Sequence, residues 1–319
     1  MIKLTYPGTC PLNVKEGVVA IGNFDGVHKG HQAVIAKARQ IAKELSTHSA
    51  VITFDPHPLA LLKPEVAFFL IYPEAIKEQC LKETGIDYLF LVEFSAALAN
   101  MSGDEFIQDV LFGHYGVRHV VVGEDFAFGK HRSGNVSRLL EYAKYHGVGV
   151  TILKKEGDDK HIYSSSHIRH LLVQGHVREA SAVLGRPYAV SGLLVKGEQR
   201  GRRLGFPTAN FFLGPILHPL YGVYAVRAQI GDHTGWIEGV ANLGVKPTFG
   251  QFDPSLEIHF FNFESENELY GHKIYVELID FIRAERKFES VEALKNQIEQ
   301  DCKNAQNALL TYNQTRSHL

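Results

Sequence analysis

Near Gly185-Arg186-Pro187 the rhythm of the chain changes. Before that point, short apolar runs alternate with stretches of helical period. Val18-Val19-Ala20-Ile21 ends at Gly22, as a buried parallel strand would. From about His28 the spacing of Val34, Ala38, Ile41 and Leu45 puts them on one helix face. Val51-Ile52-Thr53-Phe54, Tyr88 to Val92, His119 to Gly123 and Val148 to Leu153 read as further strands. Ser102-Gly103-Asp104-Glu105 is a capping-box sequence that opens a helix, and Leu139, Leu140 and Ala143 begin another helical face. Strands alternating with helices predict a doubly wound parallel sheet, which binds ligands at the C-terminal ends of its strands.

After the change, Val190 to Val195, Gly222 to Ile230, Trp236 to Leu243, Leu256 to Phe263 and Lys273 to Ile282 are β-rich, with no helix between them. Gly231-Asp232 reads as a turn. These runs predict an antiparallel barrel or sandwich. A closing helix follows, with Ser290 as N-cap and Val291, Leu294 and Ile298 as its apolar stripe. The predicted organisation is therefore two domains, 1–184 and 185–319, each long enough for its own core.

Composition narrows the function. Hydrophobic residues make up 45% and charged residues 21%, which is globular rather than disordered. A net charge of -2 offers no basic excess for a nucleic-acid backbone. The local cluster Lys196, Arg200, Arg202 and Arg203 suits one polyphosphate. Cys10, Cys80 and Cys302 are too far apart for a zinc motif or a disulfide framework, which suggests free thiols in a reducing compartment. Without a signal-peptide pattern or a membrane-length apolar run, the expectation is a cytoplasmic protein with no membrane, nucleic-acid or obligate protein partner.

Two regions carry chemistry. Gly22-Asn23-Phe24-Asp25-Gly26-Val27-His28-Lys29-Gly30-His31 joins the first strand to the first helix. Its glycines allow close backbone approach, and a helix N-terminus favours an anion. His28 and His31 share a face of the first turn and can donate to phosphate oxygens. As an isolated pair they would more often be solvent-facing polar residues, and it is the spacing to the glycines and the preceding strand that points to the cradle. Phe54-Asp55-Pro56-His57-Pro58, Gly123-Glu124-Asp125-Phe126-Ala127-Phe128-Gly129 and Ser164-Ser165-Ser166-His167-Ile168-Arg169 fall at other strand or helix ends. The serines can cap a helix, offer hydroxyls to phosphate, or both. In the second half, Gly201-Arg202-Arg203-Leu204-Gly205-Phe206-Pro207-Thr208-Ala209-Asn210 forms a tight loop beside the cationic cluster. Thr208 and Asn210 offer hard oxygen donors suited to Mg²⁺ held mainly by ATP phosphates, although Pro207 to Asn210 alone is also an ordinary turn entering a strand.

Taken together, the Gly-x-Phe-Asp-Gly-x-His-x-Gly-His run resembles the His-x-Gly-His nucleotidyltransferases. With Phe54 to Pro58, Asp125-Phe126, the Ser-Ser-x-x-Ile-Arg segment and the 201–210 run, in this order, the chain resembles prokaryotic bifunctional riboflavin kinase/FAD synthetases. Asn242 to Phe249, Glu257, Leu269-Tyr270-Gly271 and Phe281 to Phe288 match further landmarks, so the resemblance spans roughly residues 17 to 302. It implies a Rossmann-like nucleotidyltransferase domain, then a six-stranded antiparallel β-barrel with a terminal helix. The implied activities are riboflavin phosphorylation to FMN in the second domain and FMN adenylylation to FAD with pyrophosphate release in the first. ATP is co-substrate, ADP a further product and Mg²⁺ the implied cofactor.

The resemblance also implies roles. His28, His31 and Arg169 would be catalytic in the adenylyl step, and Glu257 the general base of the kinase step. Gly22, Asn23, Phe24, Asp25, Gly30, Ser164, Ser165, Ser166, Lys196, Gly205, Phe206, Pro207 and Asn242 would bind ATP. Phe54, Pro56, His57, Pro58, Asp125, Phe128 and Arg283 would lie near flavin, and Thr208 and Asn210 would serve the metal. Two departures stand out: the family usually has Thr where Ser166 stands, and often Arg where Ala127 stands. Their rival reading is a riboflavin kinase whose adenylyltransferase half is degenerate. Other rivals are an adenylyltransferase with a different substrate, against which residues 201–210 and Glu257 argue, and a flavin-sensing regulator, against which the retained motifs argue.

Overall fold

The computed structural model describes residues 1–65, 70–158, 161–196, 201, 204–231, 235–245, 254–261 and 270–316. Arg200, Arg202, Arg203, Asp232, Lys246 to Phe249 and Leu269, which carry part of the motifs above, lie outside them. Two compact units are present: residues 1–70 with 77–164, and residues 71–76 with 165–319.

The first unit holds six parallel strands: β1 (Ile2–Tyr6), β2 (Val18–Ile21), β3 (Ser49–Asp55), β4 (Tyr88–Glu93), β5 (His119–Gly123) and β6 (Gly149–Leu153). Their order is β1-β4-β3-β2-β5-β6. The chain steps outward from β2 through β3 to β4, then returns to lay β5 on the other side of β2. The ends of β2 and β5 therefore flank the point where strand order reverses, where such sheets leave a crevice. All four residues of β2, and Val120 to Val122 of β5, are buried, which explains their unbroken apolar runs. Strand β1, absent from the reading of the sequence, is a largely exposed edge strand that pairs only with β4. Its alternation of Ile2, Leu4 and Tyr6 with Lys3 and Thr5 is the period of a strand with one covered face, confined to five residues.

Helix α1 (Lys29–Glu44) follows β2 and buries Ile35, Ala38, Ile41 and Ala42. Its core face is rotated from the predicted one, because Ile35 and Ala42 carry the contact that Val34 and Leu45 were expected to make. Helix α2 (Pro58–Leu62) follows β3, and α3 spans Glu74–Glu83. The capping box forms as read, with Ser102 Oγ accepting from the Glu105 N–H and Glu105 accepting from the Ser102 N–H. The Ser102 N–H, and after it the Ser102 hydroxyl, hold the Glu105 carboxyl below its ordinary range. Helix α4 (Val136–His146) ends at Gly147, whose φ of 68° suits a residue without Cβ.

In the second unit, α5 (Ser165–Val173) and α6 (Val177–Leu184) precede six antiparallel strands. These are β7 (Tyr188–Leu193), β8 (Ala209–Phe212), β9 (Gly222–Ile230), β10 (Ile237–Val245), β11 (Pro254–Phe260) and β12 (Lys273–Ala284). Their order is β8-β11-β10-β9-β12-β7, and a bridge between Val195 and Asn210 brings the two edges of the curled sheet together. Helix α7 (Val291–Arg316) covers one face, burying Ala305, Ala308 and Leu309 against Val223, Ala225, Val240 and Ile279. Ser290 caps it, accepting from the Ala293 N–H at 3.1 Å. The expected stripe is shifted, however, since Val291 is exposed and full burial begins only at Asp301, nearly three turns later. Covered on both faces, β9 is buried along nearly its whole length.

Candidate active sites

The first candidate site is built by the loop from β2 to α1. Phe24, Gly26 and Val27 all have positive φ (49°, 82° and 43°), and two of them have a Cβ that disfavours it. The loop stays in that shape because its surroundings hold it. Phe24 and Val27 are buried anchors, and Gln32 donates to the Val27 carbonyl at 2.8 Å. Lys77 donates to Thr53 Oγ, which donates to the Asn23 carbonyl at 3.0 Å. This relay was not legible in the sequence, because Lys77 and Thr53 are far along the chain from Asn23, which they steady.

His28 is the N-cap of α1: its Nδ1 accepts from the His31 N–H at 3.3 Å. A neutral His28 therefore carries its proton on Nε2 and presents a donor there. The two imidazoles stack at 3.6 Å, and Phe24 meets His31 edge-on at 5.2 Å. Gly30 is needed here, because a Cβ would sit 3.2 Å from the His28 ring. Asp25 is buried within the loop, while Asn23 is exposed. Gly22 is packed under the Phe24 ring.

In the same unit, aromatic rings form a string that links the ends of β3 and β4, by way of Phe106, to the segment after β5. Phe94 meets Phe54 (5.9 Å), Phe54 meets Phe106 (6.3 Å), Phe106 meets Phe128 (5.5 Å) and Phe128 stacks on Phe126 (5.0 Å). Phe128 is buried in the core and Phe126 is partly open. Pro56 is exposed, and His57 is buried as the N-cap of α2, with Pro58 in its first turn. Asp125 pairs with Lys155 at 3.1 Å. Ala127, where the family often has Arg, is half-buried in a two-residue hairpin strand.

In α5, Ile168, Leu171 and Leu172 are buried. Ser165, Ser166 and Arg169 are solvent-accessible, and Arg169 lies one turn beyond the serines on the same helix surface. Ser164 immediately precedes the helix.

The second candidate site is a row made by register. Asn210 of β8 pairs with Glu257 of β11, and Glu257 pairs with Asn242 of β10. The row continues through Val223 of β9 to Arg283 of β12. Directly paired residues project on the same face, their Cβ atoms about 5 Å apart. Three polar side chains thus stand side by side from positions scattered over the sequence. Asn210 is buried, and its Nδ2 donates to the Thr208 carbonyl at 3.4 Å, which leaves Oδ1 as its acceptor. Asn242 donates to Glu285 at 3.2 Å. Tyr221 is held above the ordinary phenol range by burial and by Glu285. Arg283 is held by Asp301 of α7 through Nε and Nη2 (2.7–3.0 Å).

The loop entering β8 approaches this row. Gly201 accepts from the N–H groups of Leu204 and Phe206, and a Cβ at Gly201 would collide with the Phe206 carbonyl. Gly205 sits at φ 89° and is exposed, as is Lys196. His259, two residues past Glu257 on the same face, holds the Pro207 carbonyl at 2.9 Å. Alternation from Glu257 was the signal that could have singled it out.

Known proteins bear on both sites. A family model described as FAD synthetase matches residues 11–167, and one described as riboflavin kinase matches residues 184–309. A Bacillus subtilis protein named bifunctional riboflavin kinase/FMN adenylyltransferase is 38% identical over 291 residues, covering 90% of this chain and 90% of that protein. An Escherichia coli K12 protein of the same name is 35% identical over 284 residues, covering 89% and 90%. The crystal structure of a Streptococcus pneumoniae protein described as a macrolide-efflux protein matches with a TM-score of 0.85 and 31% identity, over 94% of this chain and 97% of that one. Among the described residues of this chain, no helix is long and apolar enough to cross a membrane. Each half carries its own family match, and full-length relatives join the two halves in the same order, so this chain belongs to the bifunctional riboflavin kinase/FMN adenylyltransferase family.

Proposed function

We propose that the loop Gly22 to His31 and the neighbouring aromatic string carry FMN adenylylation, and that the Asn210–Glu257–Asn242 row with Pro207 and Thr208 carries riboflavin phosphorylation. The chain is a riboflavin kinase and an FMN adenylyltransferase. What is proposed is how its residues divide the work.

The observation that carries the kinase assignment is the register that sets Glu257 between two asparagines, one beside the loop of Thr208. The γ-phosphoryl group of ATP passes to the 5′-hydroxyl of riboflavin, so catalysis is mainly positioning and charge neutralisation. Glu257 accepts the hydroxyl proton as general base. The Thr208 hydroxyl and the Asn210 carbonyl are neutral oxygen donors. Among the described residues no group of three His, Cys, Asp or Glu gathers to hold an ion alone. That donor set fits Mg²⁺ that keeps phosphate and water as its other ligands. When bound, the ion neutralises phosphate charge. Lys196, Gly205 and Phe206 border the nucleotide, and Arg283, fixed by Asp301, ends the row on the flavin side.

For the adenylyl step, the supporting observation is the stacked pair His28 and His31 at the N-terminus of a 16-residue helix. The FMN phosphate is already an anion and needs no base to attack the α-phosphate of ATP. His28 Nε2, the His31 side chain and the N–H groups of Lys29 and Gly30 at the start of α1 stabilise the charge that develops as pyrophosphate leaves. Ser164, Ser165, Ser166 and Arg169 form a second group with the chemistry to bind phosphate. Phe126, the partly open ring stacked on buried Phe128, offers an apolar face to the isoalloxazine ring, with Phe54, Pro56, His57, Pro58 and Asp125 at the margins.

A chromatographic time course with riboflavin, ATP and Mg²⁺ tests the reading. FMN should appear first and FAD should follow, and supplied FMN should be converted directly. A reaction that stops at FMN, and leaves added FMN untouched, would mean that the first half has lost its chemistry.

A further inference from the structure

We infer that His259 is a positioning residue of the kinase site: by holding the Pro207 carbonyl it sets the peptide that carries Thr208. The inference rests on the assignment of Thr208 to the ATP–metal end of that site.

A carbonyl oxygen can only accept, so the ring nitrogen facing Pro207, Nδ1, must be the donor in the 2.9 Å contact. Proline has no N–H, and its carbonyl is the one backbone hydrogen-bonding group by which Pro207 can be tied down. The same carbonyl belongs to the planar peptide whose N–H is that of Thr208. Fixing the oxygen therefore fixes the direction in which the backbone enters Thr208. The peptide on the far side of Thr208 is held separately, by Asn210 Nδ2 on the Thr208 carbonyl. Thr208 is thus gripped from both flanks, and His259 supplies the grip that Pro207 cannot.

The ring itself is braced. Phe206 meets it edge-on at 5.5 Å and Phe261 at 6.1 Å, each nearly perpendicular. Because Glu257 and His259 are two residues apart on β11, they project on the same face. One strand therefore carries both the proposed base and the residue that aims the loop opposite it, so a shift of that strand moves both together.

The test uses the full-length enzyme with the variants H259A, H259N and H259Q. The Asn amide can place an N–H where Nδ1 stands, and the Gln amide lies one bond farther out. H259A should lower kcat/KM for ATP in riboflavin phosphorylation by roughly 10- to 100-fold, since a misplaced binding group of about 1 Å costs on that order. H259N should recover most of that loss and H259Q should not. Calorimetric binding of ADP with Mg²⁺ should follow the same order, and ¹⁵N spectra of the imidazole should show Nδ1 protonated in the wild type. Adenylylation of supplied FMN should stay unchanged in all three, which reports that the chain is folded. If H259A does not fold, the contrast between H259N and H259Q decides. Equal behaviour of those two, or full kinase activity in H259A, overturns the inference. T208A separates the layers: if it is inactive while H259A is not, the bracing role fails alone, and if T208A is fully active the assignment of Thr208 fails and takes the bracing role with it.

Discussion

The site of His28 is made by a loop, and the site of Glu257 is made by a sheet. In the first unit, ten consecutive residues supply the turn, the helix cap and both imidazoles, and the parallel sheet serves to end β2 and β5 side by side. In the second, Asn210, Glu257 and Asn242 become neighbours only through the ladders joining β8, β11 and β10. The two designs fail differently. A loop site is vulnerable to backbone conformation, here the run of positive φ at Phe24, Gly26 and Val27. A sheet site is vulnerable to register, because a slip of one residue would turn Glu257 to the opposite face.

Substitutions can break this comparison or sharpen it. The largest effect is expected for E257Q, which should lower FMN formation by about 10²–10⁴ while leaving FAD formation from supplied FMN intact. Loss of both activities in a folded protein would end the two-site division. H28N comes next. Asparagine is a good N-cap, so α1 keeps its start, but the Nε2 donor is gone. FAD formation should drop by roughly 10²–10³ with FMN formation unchanged, measured in the same two assays. G30A should cost less, about tenfold in the adenylyl step, since a Cβ 3.2 Å from the His28 ring asks that ring to move a few tenths of an ångström. S166T is expected to be the mildest. A methyl group is worth at most about 0.8 kcal/mol, or about fourfold in rate, and Ser166 is exposed. A much larger gain in FAD formation from S166T would show that the departure from the family pattern is a real weakness of the first half.

Much of both units was legible along the chain. Unbroken apolar runs marked β2 and β5 because central parallel strands are buried on both sides. Ser102 and Ser290 announced their helices through capping chemistry that lies within four residues. Some of it went unread. The edge strand β1 alternates Ile2, Leu4 and Tyr6 with Lys3 and Thr5, a strand pattern only five residues long. The covered stripe of α7 falls at Ala305, Ala308 and Leu309, flanked by Cys302 and Tyr312; that helical spacing is present in the chain, and the sheet meets the helix there rather than at Val291 to Ile298. That Phe128 packs into the core under Gly134 while its partner Phe126 stays partly open likewise depends on contacts outside their own segment.

Residues that act with their sequence neighbours, such as His28 capping the helix that holds His31, can be recognised one by one, because the forces involved reach only a turn of chain. Residues that act with distant partners cannot. Which face Glu257 takes, that Asn242 stands beside it, that Asp301 captures Arg283 and that His259 reaches Pro207 all depend on strand register and on the seating of the terminal helix. Those choices are made by burial of apolar surface summed over the whole second unit, a quantity no single stretch of sequence contains.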